Sequence, residues 1–103
     1  MPTYVGKIEQ NESLDATQYF AGPWRQFERS VVPANGSRRL TADAVEYAVF
    51  VMSGTGSYQF NGSQHPLTPG SAVTVGHGAE VLITGDQATP LELFITTLAV
   101  SDS

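Results

Sequence analysis

No cysteine occurs in this chain of 103 residues. Disulfides, zinc–thiolate clusters, iron–sulfur centres and thiol nucleophiles are therefore excluded, and the composition fits a reducing compartment. Bases are scarce: five Lys and Arg stand against ten Asp and Glu, for a formal net charge of -5. A nucleic-acid binder needs a basic surface to neutralise phosphates. Only Arg38 and Arg39 are adjacent bases here, so no nucleic-acid partner is expected. The same balance argues against docking on an anionic membrane. No apolar run approaches the ~20 residues that span a bilayer. Residues 1–10 lack the basic start and apolar stretch of a signal peptide, so a cytoplasmic location is expected and the Asn-x-Ser triplets at Asn11, Asn35 and Asn61 read as chance. A Gly-x-Ser-x-Gly elbow is missing, and Gly54-Thr55-Gly56 is too short for a phosphate loop. Histidine is reduced to His65 and His77.

What the chain does have is turns. Hydrophobic residues make up 41% and charged residues 15%, a balance that fits one globular domain. Short apolar or alternating runs are punctuated by Gly, Pro, Asn and Asp about every ten residues, the mark of many short strands in a sandwich or barrel. Residues 4–8 read as an opening strand. Residues 11–17 hold the one plausible helical turn, with Ser13 as its cap. Residues 26–32 read as a strand with Phe27, Arg29 and Val31 on one face and Gln26, Glu28 and Ser30 on the other. Residues 45–52 form an almost continuous apolar run, as in a strand buried on both faces. Asn61-Gly62 predicts a hairpin, because both turn residues must tolerate positive φ. Pro69-Gly70 predicts a type II turn, and Gly76-His77-Gly78 turns the chain again.

From Pro33 to Val100 the order of these signals resembles the cupin family. Val51-Met52-Ser53-Gly54-Thr55-Gly56 is similar to the strand V-L-x-G-x-G that ends the first cupin motif. Leu67-Thr68-Pro69-Gly70-Ser71-Ala72-Val73 is similar to the L-x-x-G-D-x-V segment that opens the second. Gly76-His77-Gly78 stands where cupins carry P-x-G, and residues 91–98 resemble the closing strand. The resemblance implies an all-β fold, a single double-stranded β-helix (jelly-roll) barrel over residues 26–100 with a strand-and-loop arm over 1–25. It also implies a departure. Metal-binding cupins place His-x-His and then Glu before the V-L-x-G strand, but residues 41–47 contain no histidine. Glu46 or Tyr47 falls near the glutamate position, and counting back from Gly54 favours Tyr47. Val81 occupies the place of the second-motif histidine. A first-row metal wants convergent imidazoles or carboxylates, so no metal and no cofactor are expected.

Tyr47 alternates with Val45, Val49 and Val51 and is expected to share their face. If that face is the interior, the phenol points where a cupin holds metal, either as a core tyrosine bonded to backbone or as a catalytic hydroxyl. Arg29 is the second catalytic candidate. Among apolar inward positions it would need a partner such as Asp43, Glu46 or a ligand carboxylate, unless its head reaches water. Trp24, Phe27, Tyr58 and Phe60, with Asp43, Val49, Met52 and Val81, are the candidate substrate-binding set. Those aromatics serve equally as packing or as pocket walls. His65, just after a hairpin turn, and His77, flanked by glycines, read as loop residues with surface roles; His77 becomes a general base only if it overhangs the barrel mouth.

Three functions compete. One is a metal-free cyclase or isomerase of natural-product, polyketide-like substrates, working by confinement and a hydrogen bond to a developing oxyanion. A second is a module that binds a small molecule without turnover. The third is a metal-free nucleoside phosphorylase, for which phosphate would need converging bases and Arg38 with Arg39 is the candidate pair. Exposed edge strands favour pairing, so a homodimer is expected, with the N-terminal segment a candidate for strand exchange.

Overall fold

The computed structural model describes residues 6–100. Its elements are β1 (Ser13–Asp15), a 3-10 turn (Ala16–Gln18), β2 (Trp24–Val32), β3 (Ser37–Thr41), β4 (Val45–Ser53), β5 (Gly56–Phe60), β6 (Ser63–Leu67), β7 (Ala72–Val75), β8 (Glu80–Gly85) and β9 (Leu91–Ala99). The strands form two antiparallel sheets, a five-stranded one in the order β1-β2-β9-β4-β7 and a four-stranded one in the order β3-β8-β5-β6. The turn spacing implies an all-β sandwich or barrel and the resemblance a jelly roll, and that is what forms. Among the described residues no helix is long and apolar enough to cross a membrane.

The chain crosses between sheets at both ends. At one end the turns β2–β3, β4–β5, β6–β7 and β8–β9 all change sheet; at the other, β3–β4 and β7–β8 cross beside the β5–β6 hairpin. That hairpin turns at Asn61 (φ 51) and Gly62 (φ 79), as the sequence predicts. At the four-turn end Gly54 (φ 85) lies so close to Pro90 that a side chain there would strike the Pro90 carbonyl. Between the sheets Val49 and Val51 of β4, Leu93 and Ile95 of β9, and Val81 and Ile83 of β8 are all at most 3% exposed. Each side chain of this size stabilises the fold by roughly 1.5–3 kcal/mol through burial.

Three local expectations need correction. The opening strand over 4–8 falls partly outside the described residues, and Gly6, Lys7 and Ile8 are not in a strand. Ser13 does not cap a helix: it begins β1, pairing with Glu28, and Asp15 caps the 3-10 turn by accepting from the Thr17 backbone N–H (2.9 Å). Hydrogen bonds from the Thr17 hydroxyl and then its amide hold the Asp15 carboxyl below its ordinary pKa. Finally, β4 is not buried on both faces, since Phe50 is 49% and Met52 43% exposed. Its outer face is apolar yet open, a case in which hydrophobicity alone misreports burial.

Candidate active site

The face that β4 turns inward is set by alternation. Val49 and Val51 enter the core, and Tyr47, two residues earlier, follows the same parity. Tyr47 pairs with Val75 of β7 on one side and Thr97 of β9 on the other, and Thr97 pairs with Gln26 of β2. It is half-buried and packs on the core cluster. The expected row Val45, Tyr47, Val49 and Val51 therefore lines the barrel interior, with the phenol toward the hairpin end.

Across from it stands the β5–β6 hairpin. Its register pairs Tyr58 with both His65 and Ile83, so all three share the inner face. The rings of Tyr58 and His65 stack, with centroids 4.9 Å apart and planes 25° from parallel. Phe60 lies at the rim, 37% exposed. His65 is thus a strand residue with an inward parity, not the loop residue that its position after a turn suggested, although it is exposed, as expected. The signal was available: a two-residue Asn-Gly hairpin fixes the register, and that register puts His65 opposite Tyr58.

His77 does lie in a turn, and it is exposed. Its Nδ1 accepts the Ala44 backbone N–H (3.2 Å), while its own backbone N–H donates to Glu46 Oε2 (3.1 Å). These bonds tie the β3–β4 and β7–β8 crossovers together, which gives the ring a structural task. Asp43 sits exposed in the first of these crossovers, outside the barrel.

On β2 the faces are reversed from expectation. Ser30 and Val32 are buried, and with Gln26 and Glu28 they form the inward set. Phe27, Arg29 and Val31 lie on the outer face of the five-stranded sheet, where Phe27 stacks on Phe94 (centroids 6.0 Å apart). Arg29 bonds Glu92 and donates from Nη1 to the Ile8 carbonyl (2.9 Å), while its Nε is buried and finds no partner among the described residues. Neither Asp43 nor Glu46 pairs with it. Sequence reasoning failed here because both faces of the sheet carry large apolar groups, so the more hydrophobic half of β2 is not the inner half.

The polar cluster that reasoning missed is inside. Arg38 of β3 points inward and clasps Glu28 at two points, Nη1 to Oε2 (2.7 Å) and Nη2 to Oε1 (3.0 Å), while Nη1 also donates to Ser30 Oγ (2.8 Å). Arg39 points the other way and pairs with Glu80 (2.8 Å). Of the remaining candidates, Val49 and Val81 are buried core residues, Trp24 is 37% exposed on the outer face, and Met52 sits in a β4 bulge. Tyr47, Tyr58, Val49 and Val81 are thus brought to the interior and Phe60 to its rim, whereas Arg29, Phe27, Trp24, Met52 and Asp43 are not.

Where the resemblance would place a metal, residues 41–47 and Val81 offer the inward Tyr47 phenol and the aliphatic side chains of Ala42 and Val81, the last two buried in the core. Among the described residues no three His, Cys, Asp or Glu side chains gather into a metal-holding group. This donor set does not fit a first-row cation.

No protein-family model matches the chain, and no curated protein matches it by sequence. Solved structures do match by shape. A predicted oxalate decarboxylase from Thermotoga maritima superposes with a TM-score of 0.76 at 19% identity, covering 86% of this chain and 80% of that one. A cupin protein from Bacteroides fragilis gives 0.76 at 13% identity, covering 100% and 86%. Ectoine synthase from P. lautus gives 0.64 at 13% identity, covering 72% of this chain and 53% of its own. The fold is that of the cupins.

Proposed function

We propose that this small cupin-fold chain takes a largely apolar organic molecule at the hairpin end of its barrel and cyclises or isomerises it, with the Tyr47 hydroxyl as the hydrogen-bonding group. The observation that carries the reading is the placement of Tyr47: inward, half-buried, and backed by the apolar core. A phenol so placed can donate to an oxygen that gains charge, where partial exclusion of water strengthens the bond. Tyr58 and Phe60 on the facing hairpin supply flat apolar surface to hold a flexible substrate in one conformer. Polyketide-like polyenes and aromatics fit that chemistry.

The test is Tyr47→Phe, which removes one oxygen. With polyketide-like substrates, turnover is expected to fall by about 100-fold, with an unchanged unfolding midpoint. Unchanged turnover in a folded variant would remove the catalytic role of Tyr47.

A second reading is binding without turnover. The close filling of the interior by the buried apolar cluster favours it. A ligand that stabilises the protein by about 2.7 kcal/mol at a hundredfold excess over its Kd, yet is recovered unchanged, would support this reading. The phosphorylase reading has no such support. Arg38 and Arg39 face opposite ways and each already holds a carboxylate.

A further inference from the structure

We propose that the hairpin end of the barrel reads the oxygen pattern of its ligand, with Thr97 as the residue that selects a second oxygen beside the one held by Tyr47. The ligand class is a neutral, flat ring system that carries hydroxyl or carbonyl oxygens on alternate carbons. This assignment rests on Tyr47 being the hydrogen-bonding group, and extends that role to its neighbours.

Two strands turn polar in one row. On β9 the inward series runs Leu91, Leu93, Ile95 and then Thr97; on β4 it runs Val51, Val49 and then Tyr47. The register sets these changes side by side, because Thr97 pairs with Tyr47 on one side and with Gln26 of β2 on the other. One row deeper, Ile95 and Val49 pair and are 1% and 2% exposed. Gln26, Thr97 and Tyr47 are all half-buried although they face inward. Solvent therefore reaches this row, and the apolar core closes directly beneath it.

The row is unsatisfied. Among the described residues no hydrogen bond engages the Gln26 amide, the Thr97 hydroxyl or the Tyr47 phenol. By contrast, the inward Glu28, Ser30 and Arg38 bond one another. Three adjacent inward groups that ignore each other keep their donors and acceptors for what enters from solvent.

Chemistry narrows the ligand. The three groups are uncharged, and a hydroxyl or an amide both donates and accepts, so they suit neutral hydroxyl and carbonyl oxygens. An anion would call for a free guanidinium, and Arg38 is held by Glu28. Neighbouring strands lie about 4.8 Å apart, so Thr97 and Tyr47 meet two positions of one ligand, not a shared atom. The facing wall is aromatic, with Tyr58 stacked on His65, which suits a flat carbon frame.

Isothermal titration calorimetry of the full chain with naphthoresorcinol and α-naphthol tests this, because the two share one ring system and differ by a single hydroxyl. Naphthoresorcinol is expected to bind about 3- to 10-fold tighter, the effect of one further hydrogen bond. Thr97→Val, which keeps the shape and removes the hydroxyl, should abolish that difference. Thr97→Ala replaces it if the valine variant loses its β circular dichroism. Thr97→Ser should keep the difference, and so should Thr96→Val, whose side chain shares the outer face with Phe27 and Ala48. The proposal is overturned by equal affinity of the parent for the two compounds, by binding of neither at about 1 mM, by a difference that survives loss of the Thr97 hydroxyl, or by one that Thr96→Val removes equally. Turnover separates this assignment from the one it rests on. Failed titrations with turnover lost in Tyr47→Phe overturn the role of Thr97 alone. The expected titrations with turnover unchanged in Tyr47→Phe support it as part of a binding site without catalysis.

Discussion

Arg38 reaches from β3 to Glu28 on β2 and joins the two sheets through the barrel interior by two parallel hydrogen bonds of 2.7 and 3.0 Å. The two side chains are 32% and 20% exposed, and Ser30, the third member, is 5% exposed. Arg38→Met leaves an inward carboxylate and a buried hydroxyl without their donor. We expect a loss of about 2 kcal/mol in urea unfolding, below the 3–5 kcal/mol of a fully buried pair because water reaches this one in part. Glu28→Leu combined with Arg38→Met should restore most of that loss. A double mutant no more stable than Arg38→Met alone would show that packing by the arginine stem, not its charge, matters.

On the opposite face of the same strand, Arg29 holds Glu92. That hydrogen bond is the main cause that keeps the Glu92 carboxyl below its ordinary value of 4.5, against a smaller opposing effect of desolvation. A carboxyl whose folded pKa is depressed stabilises the fold above its unfolded pKa, and the contribution disappears as pH falls through the folded value. Glu92→Gln should therefore be less stable than the parent at neutral pH. The gap should narrow as pH drops below about 4.5 and close once Glu92 is protonated in the folded state as well. Urea midpoints of the two proteins at a series of pH values check this. Parallel curves across that range would mean that the ion pair adds nothing.

Much of the barrel was legible in sequence because turn chemistry is local. Asn61-Gly62 fixed a hairpin, and alternation after Val45 put Tyr47 on one face with Val49 and Val51. What failed was the choice of face on β2 and the expectation that β4 is buried on both faces. Phe27, Phe50 and Phe94 lie on an open outer face, and Glu28, Ser30 and Arg38 lie inside, which inverts the usual pattern. The inversion is set by a partner on another sheet, Arg38, and by aromatic neighbours many residues away, neither of which local periodicity contains. His65 was misplaced for a smaller reason: its distance from a turn was weighed above the register that the turn imposes.

Gly54 combines φ 85 with the Pro90 carbonyl lying where a side chain would project. Gly54→Ala incurs both the left-handed penalty and a backbone displacement at the four-turn end, and should destabilise by about 3 kcal/mol. Gly62, at φ 79 with open space around it, is the comparison. Gly62→Ala should cost only about 1 kcal/mol, the conformational penalty alone. Equal losses in thermal or urea unfolding would rule out the clash with Pro90 as the cause.

Ala44 poses the opposite case. It holds φ 60, a left-handed conformation that a Cβ disfavours, whereas the other non-glycine residues with positive φ among those described are asparagines. The loop pins it from both sides: its N–H donates to His77 Nδ1 at 3.2 Å, and its carbonyl accepts from the Val100 N–H at 3.2 Å. Strain of about 1–2 kcal/mol is therefore held in place by the crossover contacts. Ala44→Gly removes that strain but gives the unfolded chain more freedom, about 0.4–1 kcal/mol in the other direction. The net expectation is a gain of roughly 0.5–1 kcal/mol. Asn61→Gly, in a residue type that tolerates the same conformation through local hydrogen bonding, should gain little or nothing. If Ala44→Gly proves destabilising in urea unfolding while Asn61→Gly is neutral, the crossover does not store strain at Ala44, and its methyl group must contribute packing that outweighs the backbone term.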